Sequence, residues 1–202
     1  MDHAVALVQA YLRVNGYFTV SEYPIIESIR HGYRTATDLD ILAFRFPGAG
    51  RLVPGRGASA DEEHFAPDPA LGVPPEHADM IVGEVKEGRA TLNAAATDPA
   101  VLHTVLVRFG CCPAASAGPV VDRLIRDGRT LLPSGHRIRL AAFGSSVNGA
   151  GTGKYLTITL CHIVRFLEEY LREHWEIVRH EDQKDLALGF LALLEKSRQG
   201  AA

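Results

Sequence analysis

The sequence predicts an α/β fold in which one small mixed sheet packs between helices. Three observations carry this. Residues 3 to 14 place apolar side chains at helical spacing. Residues 17 to 46 and 79 to 88 read as strands, and helical patterns return from residue 98 onward. The order is helix, three strands, two helices, then strand material and further helices. A length of 202 residues suits a single domain spanning residues 1 to 202, with a core large enough to fold without disulfides or a structural metal.

In the first helix, Val5, Leu7, Val8, Tyr11, Leu12 and Val14 form the apolar face, and Asn15-Gly16 ends it. "YFTVSEYPII" is rich in β-branched and aromatic residues, and Pro24 suits an edge strand. "RHGYRT" supplies a turn and "TDLDILAFRF" a second strand, so residues 17 to 46 predict a hairpin. Residues 47 to 78 are dense in Gly, Pro and acidic residues, and read as a mobile insert between two strands of one sheet. "DMIVGEVKEG" is the third strand. Asp98 as N-cap and Pro99 at the first helical position predict a helix over 98 to 109, and another follows at about 118 to 127. "HRIRLAAFG" reads as a strand, and "YLTITL" as a strand or the lead into a helix over roughly 160 to 178. A last helix covers about 182 to 197.

The net charge of −3 offers no basic excess for tight non-specific binding to nucleic acid, although a local basic groove is compatible with it. No apolar run has the length of a membrane span, and the first residues lack a basic-then-apolar leader pattern. Cys111 and Cys112 are adjacent and Cys161 is distant, a poor disulfide framework that fits a reducing cytoplasm. Lysine occurs only at positions 86, 154, 184 and 196 in an otherwise arginine-based set of cations, which marks Lys86 as a chosen amine.

The chemistry concentrates on two strands. Side chains alternate along a strand, so Glu84 and Lys86 share a face, as do Asp38 and Asp40 on the preceding strand. If the strands are neighbours, their carboxylates approach across roughly 5 Å and make a hard oxygen site suited to Mg²⁺ or Mn²⁺. A lysine beside such a site can orient a metal-bound water or neutralise charge on a phosphate. This set of groups suits metal-assisted phosphodiester hydrolysis.

"TDLDILA" followed by "GEVKEG" on the next strand, after an N-terminal helix, resembles the PD-(D/E)xK nuclease superfamily over roughly residues 3 to 145. The resemblance implies a restriction-endonuclease-like αβββαβ core, a small mixed sheet flanked by helices, here with C-terminal helices added. It implies that Asp40 and Glu84 bind the metal and that Lys86 is the catalytic lysine, with Asp38 an alternative or auxiliary ligand. Many members carry an acidic residue in the first helix, where Asp2 and Gln9 are the candidates here. The implied function is a Mg²⁺- or Mn²⁺-dependent nuclease acting on nucleic acid, DNA foremost, with a homodimer as one expected state. A catalytically inactive module of the same fold, for nucleic-acid binding or assembly, is the alternative.

Arg89, Thr91 and Asn93 follow the motif and are candidates for nucleic-acid contact, as is Lys154 in the Gly-rich stretch 148 to 155. That stretch is not a phosphate loop, because Asn148 and Tyr155 break the required pattern. Arg123, Arg126, Arg129, Arg137 and Arg139 are candidates for a basic surface near the site, weighed against a solvated face balanced by Asp122 and Asp127. Cys111-Cys112 reads as packing at a helix end, and His162 and His174 as ordinary helix residues.

Overall fold

A computed structural model describes residues 2–50, 66–147, 153–178 and 185–199. The chain opens with α1 (His3–Val14), capped by the Asp2 carboxylate on the Ala4 N–H at 2.7 Å. A hairpin follows, β1 (Phe18–Ile29) and β2 (Gly32–Arg45). After the insert come β3 (Ala78–Arg89), α2 (Pro99–Arg108), α3 (Ala114–Asp127), a short β4 (Arg129–Leu131) and β5 (His136–Ser146). The chain closes with β6 (Leu156–Thr159), α4 (Leu160–Glu173), α5 (Trp175–Val178) and α6 (Leu186–Gln199). No described helix is long and apolar enough to cross a membrane.

Among the described residues the strands form one six-stranded mixed sheet in the order β1-β2-β3-β5-β4, with β6 also on β5. β1, β2 and β3 run antiparallel in sequence, and β5 runs parallel to β3. The α2–α3 segment makes the crossover that a parallel pair requires. β1 is the edge strand, as Pro24 predicted. Asp98 caps α2 through the N–H groups of Ala100 and Val101, also as predicted.

Alternation along the central strands feeds two core layers. Ile81 and Val85 of β3, with Ala141 and Phe143 of β5, pack against α1, α4 and α6. Met80 and Val82, with Ile138 and Leu140, pack against α2 and α3. A sheet covered on both faces gives β3 its nearly continuous burial from Ala78 to Val85.

Several boundaries differ from expectation. α3 starts at Ala114 and carries Pro119 inside it. The N–H that Pro119 lacks would have served Ala115, which is exposed, so water can satisfy that carbonyl. The single helix expected over 160 to 178 breaks at His174. Of the insert, residues 51–65 lie outside the described set. Its last part is anchored rather than loose. Asp68 is buried and takes hydrogen bonds from Tyr11 (2.7 Å) and His162 (2.6 Å), which ties it to α1 and α4. Burial pulls the Asp68 carboxyl up, but donation from Tyr11, the Ala70 N–H and His162 outweighs this and holds it below the ordinary value.

A second buried network sits at the start of β3. Asp79 is fully buried and accepts from Arg137 Nε at 2.7 Å and from Arg139 at 2.6 Å. The Tyr17 hydroxyl also donates to it. Burial, then the Asp79 charge, pushes the Tyr17 hydroxyl well above its usual range, so it stays a neutral donor.

Candidate functional site

The β2–β3 ladder runs from Arg45↔Asp79 to Ile41↔Gly83 and stops there, one residue short of Asp40 and Glu84. The strands splay at this point. The Val85 N–H leaves the ladder and donates instead to Asp40 Oδ2 at 2.8 Å. A carboxylate thus serves a backbone donor whose loss of a partner would cost about 1–3 kcal/mol. Asp40 is half-buried, and Asp38 is exposed toward the hairpin end.

Glu84 is 1% exposed. Its Oε1 accepts from Lys86 Nζ and from Asn93 Nδ2, the latter at 2.7 Å. Its Oε2 is buried and has no hydrogen-bond partner. Across the ladder, Glu84 pairs with Ala142 and Lys86 with Gly144 of β5, and the backbone of Gly88 and Ala90 fills the place a side chain would take at Gly144. Gly83 precedes the pair, and a methyl there would sit 2.4 Å from Ile41 Cγ2.

Burial raises the Glu84 carboxyl above its ordinary value. Lys86 opposes this, while the charge of Asp40 and a side-chain contact with it add to the rise. Asp40 sits on the N–H of the residue next to Glu84, and holding both carboxylates ionised there, one buried and one half-buried, is costly without a further cation. A divalent cation fits this donor set. Two carboxylates, one with a bare buried oxygen, supply the hard oxygen ligands that Mg²⁺ or Mn²⁺ takes alongside water. Among the described residues, no group of three or more His, Cys, Asp or Glu side chains gathers around a common point.

The raised Glu84 carboxyl has a consequence for stability. A carboxyl with a native pKa above its unfolded value contributes stability at low pH that is lost as pH rises through the native pKa. Above the ordinary carboxyl range, metal-free protein therefore loses stability at this group. Glu84→Gln is expected to stabilise the protein in EDTA at pH 7 by about 1 kcal/mol, roughly 2–4 °C in melting temperature. The gain should shrink as pH falls toward the ordinary carboxyl range. Thermal melts of both proteins across pH check this, and a gain that grows on acidification would contradict it.

The other predicted residues fall in different places. Asn93 braces Glu84 and is itself fixed, its Oδ1 accepting the Ala96 N–H at 2.6 Å. It arrives there because the chain after β3 crosses closely over Gly144, where a Cβ would lie 2.5 Å from the Ala90 nitrogen. Arg89 is exposed at the end of β3. Lys154 is separate from this centre, since its carbonyl packs on Gly128 and it borders a cavity with Arg129, Arg137 and Arg139. Those arginines do not line the site. Arg137 and Arg139 turn to Asp79, while Arg126 pairs with Asp127 and Arg123 with the Thr130 hydroxyl. In the first helix, Asp2 is a cap, and Gln9 donates to Thr19 at 3.1 Å. Cys111 packs against Met80, and burial pushes its thiol up to about 11.

Compared with protein-family models, with curated proteins and with solved structures, the chain matches none.

Proposed function

We propose that this chain is a metal-dependent nuclease with a restriction-endonuclease-like core, hydrolysing phosphodiester bonds in DNA. One observation carries the reading: a buried Glu84 carboxylate whose Oε2 meets no donor and which feels the charge of Asp40, with Lys86 two residues along the same face. The topology supports it, with a helix, three antiparallel strands, a crossover through α2, α3 and the short β4, and then β5 parallel to β3.

In this reading Asp40 and Glu84 hold Mg²⁺ or Mn²⁺, which when bound acidifies a water and neutralises phosphate charge. The Val85 N–H and the Asn93 amide hold the two carboxylates in place. Lys86, with its side chain 40% exposed, can leave Glu84 Oε1 to position the attacking water or meet the developing charge on phosphate. Arg89, exposed three residues beyond Lys86, is assigned to the nucleic-acid backbone. A non-catalytic module for nucleic-acid binding or assembly is favoured by the Lys86–Glu84 ion pair, which a structural role also explains.

The test is incubation with linear, branched and single-stranded DNA and with RNA, in Mg²⁺ or Mn²⁺ and in EDTA. The expected result is metal-dependent cleavage of DNA, lost in Lys86→Ala and in Asp40→Asn. Binding that survives in both variants, with no cleavage by the parent, assigns the module. Neither binding nor cleavage overturns both.

A further inference from the structure

A polar cavity of about 430 Å³ lies on the opposite face of the sheet from Glu84, against β4, the start of β5 and the segment entering β6. Arg129, Arg137, Arg139 and Lys154 line it, together with one carboxylate, Asp127. That carboxylate is engaged twice by Arg126, at 2.9 and 2.8 Å. The side chains of Arg129 and Lys154 are exposed at the rim, where Lys154 is near enough to Asp127 for its charge to join Arg126 in holding that carboxyl down.

The donor inventory is unbalanced. Arg137 spends one N–H on Asp79 and one on the Gly72 carbonyl. A guanidinium carries five, so three remain on a side chain that lines the cavity. Arg139 is 6% exposed and almost fully used, by Asp79, Tyr17 and the Leu71 carbonyl. Arg129 and Arg139 are direct cross-strand partners in the antiparallel β4–β5 ladder. Like charges directly opposite are destabilising, and Asp79 balances only part of the charge gathered here. An anion in the cavity would complete the set.

We propose that this cavity is a binding site for a phosphate group carried by a small, nucleotide-sized ligand. The unused N–H groups of Arg137 serve the phosphate from within, and Arg129 and Lys154 close on it from the rim. A volume of about 430 Å³ suits a ligand of this size rather than a duplex. The site is independent of the metal centre and needs neither metal nor cleavage.

Pyrophosphate and AMP, titrated into the full chain in EDTA at constant ionic strength, are the probes, with calorimetry and melting temperature as readouts. Binding by the parent is expected, weakened about ten-fold or more in Arg129→Gln/Lys154→Gln, a pair of exposed changes that leaves the Asp79 network intact. Competition by a 5′-phosphorylated oligonucleotide, but not its unphosphorylated form, would place the phosphate on a nucleic-acid end rather than on a free nucleotide. Three results overturn the proposal: no binding of either probe at millimolar concentration, equal binding by the variant, or equal response to sulfate and chloride. Because DNA and metal are absent, loss of nuclease activity elsewhere has no bearing on these outcomes.

Discussion

Lys86→Ala is expected to lower metal-dependent DNA cleavage by about a thousand-fold while leaving the melting temperature close to the parent's. The size follows from removing one group that positions a nucleophile or meets transition-state charge. The ammonium is partly exposed and its partner is Glu84 Oε1, which Asn93 also holds, so the fold loses little. The loss should fall on kcat more than on KM. Mn²⁺ binding should persist, because the variant removes a competing cation from a carboxylate and no ligand. Steady-state kinetics beside a Mn²⁺ titration separate the two roles. A variant that lost metal binding would make Lys86 a structural prop of the site.

Asp79→Ala is expected to cost about 3–5 kcal/mol of stability. The carboxylate is fully buried and accepts from two guanidinium groups and a tyrosine hydroxyl. Its removal leaves Arg139, itself buried, without a counter-charge. Domains of this kind have only about 5–15 kcal/mol in total, so the variant should sit near the limit of folding. Urea denaturation reads the effect as a lower midpoint at similar slope. Asp79→Asn, which keeps acceptor geometry, should lose less. A midpoint unchanged in Asp79→Ala would show that the arginines find water instead.

Local signals were legible in the sequence. Pro24 marks an edge, Asp98 a cap, and "DMIVGEVKEG" a third strand whose alternation aims Glu84 and Lys86 together. What the sequence left open depended on long-range register. That Asp40, and not Asp38, meets Glu84 follows from the ladder ending at Ile41↔Gly83, a pairing across more than forty residues. Asn93 reads as an ordinary loop residue until Gly144 lets the chain fold back over β5. Alternation puts Arg137 and Arg139 on one face, but which face lies inside rests on Asp79 entering the sheet beside them. β4, with three residues, is too short for a periodic signal, and Asp68 is hidden in an insert whose composition suggests no order.

The proposed function requires Asp40 and Glu84 to form one divalent-metal site at the splayed end of β2 and β3. Calorimetric titration of Mn²⁺ into the metal-stripped chain at pH 7 tests it most directly. One binding event in the parent, absent in Glu84→Gln and at least weakened in Asp40→Asn, is the predicted result. A parent that binds no Mn²⁺, or a Glu84→Gln protein that binds it as well as the parent, would contradict it.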